Sequence, residues 1–140
     1  MESLQRTIIL NAKPSEVWEA LTNPELTKKY MFNCEVNSTW EIGSPIEWKG
    51  NYQGYETGEN GIILNCEKEK QLKYSSFDPN FGLEDIPENH LHMTYDLIYK
   101  DGYTELIFTA DNFNDDPKRM PGIGQMWDTI VLPAFKELFV

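Results

Sequence analysis

The chain has 140 residues, 40% of them hydrophobic and 25% charged, which is the size and composition of one globular domain spanning 1–140. A chain of this length buries enough surface to need no metal or disulfide staple. Its 12 basic and 23 acidic side chains leave a net charge of −11, which excludes an extended nucleic-acid or anionic-membrane surface, because phosphate binding needs a basic footprint.

Met1-Glu2-Ser3-Leu4-Gln5-Arg6 lacks the basic start, apolar run and small-residue cleavage site of a secretion signal, so a cytoplasmic location is expected. No run approaches the ~18 apolar residues of a membrane helix, so no membrane insertion is expected. Thr7-Ile8-Ile9-Leu10 makes Leu4 to Asn11 a strand. Pro14 suits the first turn of a helix. Val17, Trp18, Ala20 and Leu21 then recur at helical spacing, with Glu16 and Glu19 facing out. This stripe predicts that Val17, Trp18 and Leu21 pack on a sheet edge beside the first strand. Thr22-Asn23-Pro24 stops that helix, and a second short one runs from Pro24 to about Tyr30.

From Cys34 to Phe113 the pattern is that of strands. Ile46-Glu47-Trp48 is a short alternating strand between Gly43-Ser44-Pro45 and Gly50-Asn51. Tyr55 to Thr57 and Gly61 to Cys66 form one longer strand with a glycine break, and Gln71 to Phe77 is the next. Phe81 to Asn89 has no periodicity and is long enough to be a functional loop. Leu91 to Tyr99 and Tyr103 to Ala110 are joined by Lys100-Asp101-Gly102, a strong hairpin signal. Met120, Ile123, Met126, Trp127, Ile130, Val131, Ala134, Phe135 and Leu138 then keep helical spacing, and Pro133 should kink or locally break that helix. The order predicts an α+β fold in which an antiparallel sheet receives one long C-terminal helix.

Several segments carry a family likeness. Pro14-Ser15-Glu16-Val17-Trp18-Glu19-Ala20-Leu21-Thr22-Asn23-Pro24-Glu25 resembles the signature after the first strand of the START-like, or SRPBCC, superfamily. The likeness is to the branch named for the activator of the ninety-kilodalton heat-shock chaperone's ATPase. Trp40 to Trp48, Gly61-Ile62-Ile63-Leu64 followed by Gln71-Leu72-Lys73-Tyr74, and Gly124-Gln125-Met126-Trp127 resemble further family features in the same order. The resemblance covers nearly the whole chain. It implies a helix-grip fold, with a curved antiparallel sheet around the C-terminal helix, two short helices after the first strand, and an internal cavity. Members of the superfamily include lipid and hormone carriers, polyketide cyclases and chaperone regulators, so the likeness implies a fold more than a function.

Residues that could carry chemistry are few. His90 and His92 would share one face of a strand, but no Cys or third His accompanies them, and no Ser-centred hydrolase motif is present. Asp111, Asn114, Asp115 and Asp116 form an acidic loop that fails as a calcium loop, because Phe113 or Pro117 occupies a required position. Gly122-Ile123-Gly124 lacks the third glycine of a dinucleotide fingerprint. Cys34 and Cys66 are not in a CxxC pair and read as reduced thiols. No cofactor or metal is expected.

Aromatic residues are the more telling feature. Strand parity puts Leu72, Tyr74 and Ser76 on one face, with Met93, Tyr95 and Leu97, and with Leu106, Phe108 and Ala110. These faces should look at the helix. A ligand cavity is therefore expected between helix and sheet, bounded by Trp127, Ile123, Tyr74, Ser76, Met93, Tyr95, Phe108 and Trp48, with Phe81 to Asn89 as its lid. Its occupant would be an apolar or amphipathic small molecule. The rival readings are a module that docks on a chaperone or another protein, and a cyclase- or hydrolase-type enzyme, which an acidic group buried behind Tyr74 or Tyr95 would favour. A monomer or weak dimer is expected.

Overall fold

In the computed structural model, which describes residues 3–114, 116 and 118–140, the chain forms a seven-stranded antiparallel sheet and a terminal helix. In chain order the elements are β1 (Ser3–Leu10), α1 (Pro14–Thr22), α2 (Pro24–Thr27), β2 (Cys34–Ser38), β3 (Pro45–Tyr52), β4 (Tyr55–Glu67), β5 (Gln71–Ser76), β6 (Leu91–Lys100), β7 (Tyr103–Asp111), α3 (Arg119–Met126) and α4 (Leu132–Glu137). The strands lie side by side in the order β1-β7-β6-β5-β4-β3-β2. The arrangement is the α+β helix-grip fold. Asp115 and Pro117 of the acidic loop lie outside the described residues, as do Met1 and Glu2.

Local chemistry accounts for the turns. Asp101 and Gly102 both take positive φ, at 52° and 87°, which is the backbone twist a two-residue hairpin needs. Gln53 and Gly54 do the same between β3 and β4, at 54° and 88°. The expected glycine break in β4 is absent. The strand runs unbroken from Tyr55 to Glu67, and its one register shift falls between Ile63 and Asn65. The second helix is shorter than expected and ends at Thr27, whose buried hydroxyl donates to the Cys34 carbonyl (3.0 Å) and accepts from Val36 N–H (3.2 Å). That clamp diverts the chain into β2.

Every second residue of β5, β6 and β7 faces the helix. Leu72, Tyr74, Met93, Tyr95, Leu97, Leu106, Phe108 and Ala110 are all buried. Val17, Trp18 and Leu21 are buried too, but α1 lies against β6 rather than beside the edge strand β1. The Asn11–Lys13 turn carries the chain across β7, where buried Thr104 donates from Oγ1 to the Ala12 carbonyl (2.7 Å).

Pro133 meets a specific accommodation. Between α3 and α4 the helix widens into a π-turn over Trp127–Val131, and Leu132 N–H reaches back five residues to the Trp127 carbonyl. In a regular helix the proline ring would collide with the carbonyl four residues earlier. A π-turn ahead of it changes that spacing. On the exposed side of the π-turn, Arg6 of β1 grips Asp128 through two hydrogen bonds of 2.7 and 3.0 Å.

Candidate functional site

The aromatic residues expected to border a cavity instead pack on one another. Phe108 and Trp127 stack with centroids 3.5 Å apart and planes within 9°. Tyr95 leans on both, at 5.3 and 6.0 Å, and Tyr74 stacks on Tyr95 at 6.2 Å. Trp48 continues the row at 6.0 Å from Tyr74. Ile123 and Met93 are buried beside them. Large rings at adjacent inward positions take up the volume between sheet and helix, and parity alone cannot measure that volume. The expected lid is elsewhere as well. Asp85 and Pro87 border a groove with Ile62, Leu64, His90 and His92, and His92 points away from the helix. There His90 Nε2 meets Asp85 Oδ1 at 2.6 Å and the His90 ring stacks on Phe77.

Open space remains at the end of the aromatic row. A cavity of about 120 Å³ is lined by Met31, Phe32, Cys34, Trp48, Thr57, Gly58, Glu59, Asp78 and Met126. Of the residues expected at the site, Trp48 alone reaches it. The antiparallel register sets Trp48 of β3 directly opposite Glu59 of β4, and opposed residues project to the same side of a sheet. Glu59 is therefore placed on the apolar inner side by strand pairing. Ser76 Oγ donates to Glu59 Oε2 at 2.5 Å, so the Ser76 expected as a polar handle holds the carboxylate.

The electrostatics follow from that placement. Burial pushes the Glu59 carboxyl above its ordinary value; the Ser76 hydrogen bond opposes this and the Asp78 charge adds to it. Burial likewise raises Asp78, against the Asn80 hydrogen bonds. Tyr74 is held well above the ordinary phenol range by burial and then by Glu59, and Tyr95 by burial and then by Tyr74. Cys34 donates from Sγ to Thr57 Oγ1 (3.3 Å), and burial raises its pKa, so it is a poor nucleophile. Among the described residues, the buried Trp48 Nε1, the Tyr95 hydroxyl and Arg119 Nε and Nη1 have no hydrogen-bond partner. An unmet buried donor is costly, at about 1–3 kcal/mol. Among the described residues, no Lys or Arg lines the cavity.

A pH dependence follows. Glu59's pKa is higher in the folded chain than in the unfolded one, so the folded state binds more protons. This contribution to stability is fully present below the unfolded value and is lost as pH rises through the raised folded value. Glu59→Gln should remove that decline. Urea midpoints measured upward from pH 4.5 should fall less steeply for the variant than for the parent chain, and equal slopes would show that the carboxyl is not buried.

Sequence reading missed Glu59, Asp78, Cys34, Thr57, Met31, Phe32 and Met126. For Glu59 a signal existed: it keeps the parity of Ile63, which is fully buried. The other residues come together only through the turn after α2 and the packing of α3.

Three comparisons bear on this arrangement. The family model described as Activator of Hsp90 ATPase homolog 1-like protein matches residues 11–139. A solution structure of a protein from Cytophaga hutchinsonii is 36% identical, with a TM-score of 0.79, over 99% of this chain and 93% of that one. The Aha1 dimer from Colwellia psychrerythraea is 19% identical, with a TM-score of 0.76, over 100% and 98% of the two chains. An Hsp90 activator from Plasmodium falciparum is 12% identical, with a TM-score of 0.77, over 99% and 96%. No curated protein is a significant match.

Proposed function

The chain belongs to the family of Activator of Hsp90 ATPase homolog 1-like proteins, and from that premise we propose that it is a binding module for a small amphipathic molecule, held in the Trp48–Glu59 cavity. The observation that carries this reading is the cavity's lining, in which the apolar surfaces of Trp48, Phe32, Met31 and Met126 meet the carboxyls of Glu59 and Asp78. The size of the cavity limits the ligand. About 120 Å³ lies below the ~300–1,000 Å³ of sites that enclose drug-sized ligands, so the head of a molecule enters and any longer tail leaves past the half-buried rim of Phe32, Asp78 and Met126. The tail has a neighbouring groove available, lined by Phe32, Tyr52, Ile130 and Ala134.

The test is an NMR titration with n-butanol that follows the Trp48 indole N–H resonance. A saturable shift is expected, and Met126→Trp should suppress it by closing the rim while the melt stays cooperative. An unmoved resonance at saturating alcohol would reject the reading. A second reading, a module acting on a protein partner, is supported by the likeness to an Hsp90 activator and to a dimer. Stimulation of an Hsp90 ATPase by a chain that shows no ligand response would favour it.

A further inference from the structure

We propose, resting on the binding reading above, that the Trp48–Glu59 cavity selects an organic ammonium head, with the nitrogen facing Glu59 and Asp78. The two carboxyl side chains sit in one lining with the aromatic rings of Trp48 and Phe32 and the thioethers of Met31 and Met126. Carboxylates attract a cation directly, and aromatic faces attract it through the ring quadrupole. Among the described residues, no basic side chain lines the cavity to compete for them. Arg6 pairs with Asp128 and Lys28 with Glu25, while Lys28 and Lys29 border the neighbouring groove.

The remaining polar atoms fit the same occupant. Ser76 donates to only one Glu59 oxygen, Oε2, which leaves Oε1 as an acceptor for an N–H. An anionic ligand meets the opposite situation, two carboxyls in the wall. A cation at this position also relieves the cost of ionising Glu59 beside Asp78.

The probes are n-butylammonium, n-butanol and butyrate, which share a chain length and differ in head charge. Affinities come from the Trp48 indole N–H resonance at pH 7. The ammonium should bind about tenfold tighter than the alcohol, the gain of one partly buried ion pair, and butyrate should bind more weakly than either. Glu59→Gln should bring the ammonium to within about twofold of the alcohol. If that variant does not fold, Asp78→Asn at the rim should narrow the same ratio. Alcohol and ammonium binding equally well to the parent chain would overturn the ammonium assignment and leave the binding reading standing. If neither probe moves the resonance, both fall.

Discussion

Trp127→Ala is expected to lower the unfolding free energy by about 3–5 kcal/mol, the range for removing a large aromatic side chain from a packed core. Trp127 is 4% exposed, stacks face to face on Phe108 at 3.5 Å, and touches Tyr95 at the edge of the same cluster. It is also the first residue of the π-turn, so it anchors the terminal helix at the point where the hydrogen-bond ladder changes step. Alanine would leave a void that Phe108 cannot fill, because Phe108 is held by β7 between β1 and β6. Urea unfolding followed by circular dichroism would show the loss as a lower midpoint with little change in slope. A loss under about 1 kcal/mol would mean that the helix is not seated on β6 and β7 as described. Trp127→Phe should recover much of the difference, since it retains a ring against Phe108.

Gly61→Ala is expected to cost about 1–3 kcal/mol or more, by overpacking rather than by strain in φ. A Cβ at Gly61 would lie 1.7 Å from the Ser75 carbonyl oxygen and 2.8 Å from its hydroxyl oxygen. The first neighbour is the backbone of β5, so neither strand can yield without shifting the pairing. That pairing includes the Ile62 N–H bond to Ser75 Oγ at 3.0 Å and the bridge between Asn60 and Phe77. Ser75 adjoins Ser76, whose hydroxyl holds Glu59, so the substitution should disturb the candidate site together with stability. Gly122→Ala is the control. Its Cβ meets open space on α3, and the gain in helix propensity should stabilise the chain by about 0.5–1 kcal/mol. Opposite signs at the two glycines are the result to look for in thermal or urea melts. A cost of similar size at both would show that the close approach of β4 to β5 at Gly61 is not real.

Local patterning of the amino acids accounts for most of the elements and for the direction in which their side chains face. Period-2 alternation in Leu91–Tyr99 and Tyr103–Ala110 specifies two strands with one apolar face each, and the two-residue Asp101-Gly102 turn fixes the register that puts Met93, Tyr95, Leu106 and Phe108 together. The helical stripe from Ile123 to Phe135 needs an apolar surface to cover, and that hairpin supplies one. Pro133 announced an irregular helix, though its form, a π-turn, depends on how Trp127 is held.

The tertiary structure alone decided how much space was left over and which polar groups faced it. Aromatic side chains at inward positions read the same in sequence whether they border a void or fill it, because parity reports direction and not volume. Here Tyr74, Tyr95, Phe108 and Trp127 fill it, and the opening moves to the end of the row, where Trp48 meets Glu59. Glu59 stood in what looked like a glycine-broken stretch of β4. Pairing with β3 carried it inside, where burial changes a surface carboxylate into a group that holds its proton more tightly. Asp78, Cys34 and Met126 come from segments distant in the chain, and only the packing of β2, the turn after β5, and α3 brings them to one cavity.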